Sequence, residues 1–115
     1  MYKVRTTIDN KLYAKRIASR LVAGHAAASV HVKPVDSVYA WKGVLNYTTE
    51  YEVEALCDDE VYTMSAIKAM HTYECPEVIS ETIRGSEDIE KWCRDWCFHH
   101  GSLNDFVRAD KENGV

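Results

Sequence analysis

The chain has 115 residues, of which 46% are hydrophobic and 28% are charged, and its formal net charge is −4 at pH 7. That length suits one domain with one modest hydrophobic core. The acidic balance leaves no basic stripe that could neutralise phosphates, no apolar run approaches the roughly 20 residues that cross a bilayer, and the N-terminus lacks the apolar centre of a signal peptide. We therefore expect a cytoplasmic protein with neither a nucleic-acid nor a membrane partner.

The first elements are a strand and a helix. Apolar and polar residues alternate over residues 2–8, which predicts a strand. Asp9-Asn10 follow as candidate caps of a helix whose apolar residues recur at helical spacing up to Val22. Gly24 suits the left-handed position at which helices often end.

A long hairpin comes next. Alternation resumes at Ala26, and Pro34 interrupts it, so we expect a bulge or an edge position there because proline has no N–H to donate. Lys42-Gly43 indicates a tight turn, and the return strand runs to about Ala55.

The remaining elements follow the same logic. Asp58-Asp59 can cap a second helix, the segment His71–Glu77 is a loop, and residues 78–84 form a fourth strand. Gly85-Ser86 turn the chain and cap a third helix. From Gly101 onward the chain is polar, and we expect a frayed tail.

The order β-α-β-β-α-β-α predicts an α+β, ferredoxin-like split β-α-β sandwich with a long central hairpin, forming a single domain over residues 1–100 with a flexible tail over 101–115. Hairpin arms of roughly 14 and 17 residues would extend roughly 45–55 Å, far beyond ordinary strands. Such an overhang would leave an exposed sheet edge, which a neighbouring subunit could pair. The hairpin length therefore predicts an oligomer.

With these elements in order, the chain resembles the CutA divalent-cation tolerance family from about Thr6 to Trp92. The residues that carry the resemblance are Ala14-x-x-Ile17-Ala18-x-x-Leu21-Val22, Ala26-Ala27-Ala28-Ser29-Val30, Pro34-x-x-Ser37-x-Tyr39-x-Trp41-x-Gly43, Tyr51-Glu52-Val53, His71-x-Tyr73-Glu74-x-Pro76-Glu77-Val78-Ile79 and Trp92. The resemblance implies a homotrimer whose long hairpins form sheets between subunits, and a role in tolerance of copper and other divalent cations.

The chain departs from the family at positions that matter for copper. A copper-binding member has a Cys near the end of the first strand, where this chain has Thr6, and two consecutive His residues where this chain has Met70-His71. The family's Pro between His and Tyr is Thr72, and Cys57-Asp58 arrives about four residues before the family's third strand ends. His71 is the retained imidazole.

Two stretches rich in functional side chains, Ser37–Gly43 and His71–Glu77, supply the candidate site. The candidate ligand-binding residues are Tyr39, Trp41, Lys42, Tyr73, Glu74 and Glu77. His71 is the candidate metal ligand, with Met70 or Cys75 as a soft partner for copper. Structural roles compete with each of these: the glutamates can cap or pair, and the two aromatic side chains can pack at a subunit contact.

A second group of metal-type side chains, Cys93, Cys97, His99 and His100, lies near the end of the third helix. The spacing of four puts both thiols on one helical face, as in a zinc-like site, but the adjacent tryptophans favour packing of reduced thiols, with the His pair as a solvated helix end.

The sequence therefore predicts a non-enzymatic homotrimer that binds copper or another divalent cation, or a small ligand, between its subunits. The alternative is a PII-like trimeric signalling or scaffold protein that binds a small molecule or a partner protein instead of metal. Acid–base residues are present, but no activated nucleophile accompanies them, so we expect no enzyme and no required cofactor.

Overall fold

A computed structural model describes residues 1–113 as four strands and four helices. In chain order they are β1 (Tyr2–Ile8), α1 (Lys11–Ala23), β2 (Ser29–Trp41), β3 (Val44–Cys57), α2 (Glu60–Met70), β4 (Val78–Thr82), α3 (Glu87–Cys97) and α4 (Leu103–Asn113). The strands form one antiparallel sheet in the order β2-β3-β1-β4. The predicted α+β order is confirmed, and α4 is added to it.

The core lies between the sheet and α1 and α2. Strand alternation sends every second side chain of β1 and β3 inward, where it meets the apolar stripes of the two helices. The fully buried members are Val4, Ile8, Ala14, Ile17, Leu21, Ala27, Val53, Ala55, Cys57, Ala66 and Ile67.

Side-chain caps begin three of the helices, as predicted. The Asn10 Oδ1 atom accepts a hydrogen bond from the Tyr13 N–H at 2.8 Å, and Asp59 caps α2 through the Tyr62 N–H at 3.0 Å. Ser86 caps α3 in the same way. Each cap satisfies a backbone donor that would otherwise have no partner.

The end of α1 differs from the prediction. Gly24 has φ −88°, and the left-handed residue is the next one, His25, with φ 61°. The Gly24 N–H bonds to the Arg20 carbonyl and the His25 N–H to the Val22 carbonyl, so the reversal falls one residue later than expected.

The hairpin prediction is confirmed in its turn and in the edge position of Pro34. Lys42 and Gly43 both have positive φ, 52° and 76°, as a two-residue turn of this hand requires. Pro34 lies on the edge strand β2 and pairs with Tyr51 in an unbroken register. Proline is accommodated by the edge position alone, without a bulge.

The end of the hairpin extends beyond the rest of the sheet. Strand β1 pairs only with residues 51–57 of β3, so within the described residues Val44–Glu50 pair with β2 alone. These seven residues correspond to roughly 23 Å of strand. We call residues 37–50 the hairpin tip. Its apolar side chains are exposed: Val38, Tyr39, Trp41, Val44, Leu45 and Tyr47.

The residues after Gly101 are a correction to the predicted frayed tail. Leu103–Asn113 form α4, and its Phe106 side chain is only 4% exposed. The Phe106 ring lies over Gly24, where a Cβ atom would be 2.7 Å from the ring. A partly buried ion pair, Arg16 to Asp110 at 2.8 Å, also ties α4 to α1. Residues 114 and 115 of the predicted tail lie outside the described residues.

Within residues 1–113, no helix is both long enough and apolar enough to cross a membrane.

Candidate functional site

A cleft of about 750 Å³ opens where β1 ends and the hairpin tip continues alone. One wall is the tip, and the other is the loop that connects α2 to β4. Its lining residues are Thr7, Asp9, Asp36, Ser37, Val38, Tyr39, Ala40, Trp41, Thr48, Glu50, Tyr73, Glu74, Cys75, Pro76 and Glu77. The two stretches that the sequence analysis singled out therefore meet in space.

Most of the predicted ligand-binding residues lie in this cleft. Tyr39 and Trp41 line the tip side, and Tyr73, Glu74 and Glu77 line the loop side. Lys42 lies at the rim: its Nζ atom is 3.8 Å from Glu74 Oε2 and 5.7 Å from the centroid of the Trp41 ring. Both charged groups of that pair are largely exposed, so the pair is a weak tether between the two walls.

Glu50 is a cleft residue that the sequence analysis did not single out. It is 4% exposed, and its Oε2 atom accepts a hydrogen bond from the Tyr73 hydroxyl at 2.7 Å. Burial, then the bond to Glu50 and its negative charge, raise the pKa of Tyr73 well above its ordinary value. Tyr73 therefore remains a protonated donor, and the bond fastens the loop to β3.

His71 stabilises the loop from beneath the cleft and does not line it. Its Nε2 atom is 2.8 Å from the Thr7 carbonyl oxygen, and its Nδ1 atom accepts a hydrogen bond from the Tyr73 N–H at 3.1 Å. Because a carbonyl oxygen only accepts, Nε2 carries the proton of a neutral ring. Burial lowers the pKa of His71, which is consistent with the neutral form. Both ring nitrogens are therefore engaged by backbone.

Two further residues lie in the core: Met70, the other proposed metal ligand, and Thr6, which stands where a copper-binding family member has a Cys. Met70 is 3% exposed and belongs to the main hydrophobic cluster. Thr6 is 1% exposed, and its buried Oγ1 atom has no hydrogen-bond partner among residues 1–113. Neither side chain lines the cleft. Within residues 1–113, no three His, Cys, Asp or Glu side chains converge as a metal site.

The cleft is strongly acidic. Five of its lining residues carry carboxylates, and none of its lining residues is Lys, Arg or His: the acids are Asp9, Asp36, Glu50, Glu74 and Glu77. The nearest compensation comes from outside, where Arg5 lies 3.7 Å from Glu77 and Lys42 approaches Glu74. Such a lining favours a cation over an anion.

The second group of metal-type side chains does not act as one site. Cys93 and Cys97 are 1% and 3% exposed and pack with Ala28, which agrees with the packing interpretation. The His pair differs from a solvated helix end. His100 stacks on Tyr62 at a centroid distance of 3.9 Å, whereas His99 faces a different part of the chain.

Comparison with known proteins settles the family. The family model described as CutA1 divalent ion tolerance protein matches residues 2–96. The chain belongs to the CutA1 family. The match ends inside α3, so α4 lies outside the matched region.

Curated CutA relatives come from distant organisms. The chain is 32% identical over 82 residues to a divalent-cation tolerance protein CutA of Archaeoglobus fulgidus, covering 69% of the chain and 80% of the relative. It is 38% identical over 95 residues to a CutA homolog of Xenopus laevis, covering 77% and 62% respectively. It is also 34% identical over 88 residues to a chloroplastic CutA 1 of rice, where the match covers 71% of the chain but about half, 48%, of the relative.

Solved CutA structures share the fold. The periplasmic divalent cation tolerance protein CutA of Archaeoglobus fulgidus superposes with a TM-score of 0.79 at 28% identity, covering 84% of this chain and 99% of that one. The Thermus thermophilus divalent cation tolerance protein gives 0.77 at 26% identity, covering 88% and 100%. The ferredoxin-like CutA architecture predicted for this chain is therefore confirmed.

Proposed function

We propose that this CutA1-family protein is a homotrimer that takes part in divalent-cation tolerance and binds a divalent cation, or a small cationic ligand, in the acidic cleft between its subunits. The observation that carries the proposal is the charge of the cleft: five lining carboxylates and no lining basic side chain. Carboxylates that face one cleft create a negative potential that attracts a positive ion.

The hairpin tip supports assembly. Seven residues of β3 lack a partner on the β1 side, and the apolar side chains next to them are exposed. Neighbouring subunits would pair this edge and cover these side chains, which is how natural sheets avoid uncontrolled edge association. The cleft adjoins the tip, so assembly would bring a neighbouring subunit beside it.

The donor set indicates which cation to expect. Carboxylate oxygens suit oxygen-preferring divalent ions, while Cys75 is an exposed thiol in the same lining that would add a soft donor for copper. Because no three such ligands converge among residues 1–113 of one subunit, the remaining ligands would be water or side chains of the adjacent subunit. The proposed copper ligand His71 contributes by holding the loop in place.

No catalytic step is proposed for the cleft. The Tyr73 hydroxyl donates to Glu50 and has a raised pKa, which opposes its use as a base. A scaffold role would use the same cleft for a partner's cationic group. The cytoplasmic location expected from the sequence stays a prediction.

Native mass spectrometry tests both parts of the proposal. We expect a species of three times 13.1 kDa, with added mass after titration with Cu(II), Zn(II) or Mg(II). The double variant Glu50→Gln with Glu74→Gln should remain trimeric and bind the cation at least tenfold more weakly. The matched control, Glu87→Gln with Glu112→Gln, removes the same charge from exposed positions on α3 and α4 and should bind normally.

The outcomes separate the claims. A trimer that binds none of the three ions would reject the cation site but not the assembly. Equal weakening in the two double variants would assign the effect to net charge instead of the cleft. A monomer would reject the intersubunit site altogether.

A further inference from the structure

We propose that His25 and His99 form a second metal site, a pair of imidazoles for a borderline transition-metal cation such as Ni(II), Cu(II) or Zn(II). The site lies where the end of α1 meets the end of α3. The two ring centroids are 5.9 Å apart and the ring planes are inclined by 70°. The proposal does not depend on the acidic cleft.

The tautomer of His25 is the one that a metal ligand needs. Its Nδ1 atom is 3.0 Å from the Trp96 carbonyl oxygen. A carbonyl oxygen can only accept a hydrogen bond, so Nδ1 carries the proton and Nε2 keeps its lone pair. Metal-binding histidines commonly donate their second ring nitrogen to a backbone carbonyl in this way, which fixes the ring and increases the basicity of the ligating nitrogen.

The distance between the rings fits a shared ion. Metal–nitrogen bonds of roughly 2.0–2.1 Å place two imidazole centroids about 4.5–6.5 Å apart, depending on the angle at the metal. The observed separation lies in that range. The His99 side chain is exposed, and its ring nitrogens have no hydrogen-bond partner among the described residues, so it can rotate towards a shared ion.

The backbone holds His25 at an unusual position. With φ 61° it occupies the left-handed site after α1, where glycine is most common because it has no Cβ atom. The ring packs on Trp96 at a centroid distance of 4.1 Å, and the Trp96 indole N–H donates to the Val22 carbonyl at 3.1 Å. A side chain that is anchored here, against the backbone preference, is well ordered for binding.

The two proposed sites are far apart. Asp9 lines the cleft immediately before α1, and His25 follows that helix, whose 13 residues extend about 20 Å. Cys93 and Cys97 are buried beneath α3 and do not contribute to the imidazole pair. Ligands of different type therefore serve the two sites, carboxylates in the cleft and imidazoles here.

Isothermal titration with Ni(II) tests the pair, using untagged protein that carries Glu50→Gln and Glu74→Gln so that binding in the cleft is weakened. We expect one Ni(II) per subunit. Adding His25→Gly should weaken binding at least tenfold while the protein stays folded, since glycine suits the left-handed backbone. His99→Ala should have the same effect. His31→Ala, which removes an exposed imidazole from β2, should not.

A second readout locates the ion. Cu(II) bound at His25 should quench the emission of the adjacent Trp96, and His99→Ala should abolish that quenching. Absence of saturable Ni(II) binding would overturn the proposal, as would binding that survives both His25→Gly and His99→Ala. Because every protein in this experiment carries Glu50→Gln and Glu74→Gln and only histidines are varied, its failure would not affect the proposed function.

Discussion

The two ends of β3 show how one strand serves two purposes. Val53 and Ala55, at the base, are fully buried against the helices, whereas Leu45 and Tyr47, at the tip, are 59% and 74% exposed. All four side chains point to the same face, because they alternate along a single strand. The apolar face thus continues past the point where the subunit's own helices end.

This difference separates folding from assembly. The base supplies the hydrophobic surface that one subunit buries by itself, and the apolar side chains of the tip stay exposed in the part of the chain that the structure describes. The cleft forms at the boundary between the two, where Glu50 is the last residue of β3 before its pairing with β1 begins. A cleft at that boundary depends on both the fold and the assembly.

The largest expected effect is on folding, and it is tested by placing two aspartates at the base of β3 in one variant and at its tip in another. Val53→Asp with Ala55→Asp should prevent folding, since unpaired buried charges cost more than about 4 kcal/mol. The variant Leu45→Asp with Tyr47→Asp should keep the circular dichroism spectrum of a folded subunit. The mass of its assembly, measured by light scattering, should be lower. A tip variant that unfolds, or one that stays fully assembled, would contradict the separation of folding at the base from assembly at the tip.

An intermediate effect is expected at the boundary. Tyr73→Phe removes the donor to the buried Glu50 carboxylate, and leaving that group unsatisfied should lower the free energy of unfolding by about 1–3 kcal/mol. Urea denaturation measures it. Tyr47→Phe removes an equivalent hydroxyl from the exposed tip and should change the unfolding free energy by less than about 0.5 kcal/mol. Equal values for the two would show that the bond contributes nothing.

The smallest effect is a pH dependence at His71. Burial lowers its pKa in the folded state, so unfolded chains take up a proton more readily than folded ones as the pH falls below the ordinary value of 6.5. The stabilisation from neutral His71 is therefore present above that pH and lost below it. The stability advantage over His71→Asn should shrink between pH 7.5 and pH 5.5 in parallel denaturation curves. An advantage that grows on acidification would reverse the assigned sign.

The elements could be predicted from local chemistry because their signals are local. Strand alternation, the caps at Asn10 and Asp59, and the turn at Lys42-Gly43 each depend on neighbouring residues. The tip and its exposed edge followed from strand length alone. The cleft could be anticipated because both of its walls are dense in side chains that a core does not need.

The errors arose where distant residues decide the outcome. The segment after Gly101 is polar in composition, yet the Phe106 ring packs over Gly24 and Asp110 forms an ion pair with Arg16. Composition does not reveal either of these long-range contacts. Glu50 resembles the other acids of its strand until the register places it beside Tyr73. Met70 precedes His71 in the sequence, which suggests a second metal ligand, but its side chain lies on the buried face of its helix.

An exposed cysteine in the loop allows events in the cleft to be measured directly. Of the chain's four cysteines, three are buried and only Cys75, in the cleft wall, is exposed. A thiol-reactive dye should therefore attach at a single position, without any cysteine having to be removed first. Attached there, it would sense whatever enters the cleft and whatever moves the hairpin tip against the loop. The natural cysteine can thus be labelled to measure, in solution, how much of the cleft is occupied and how far it opens.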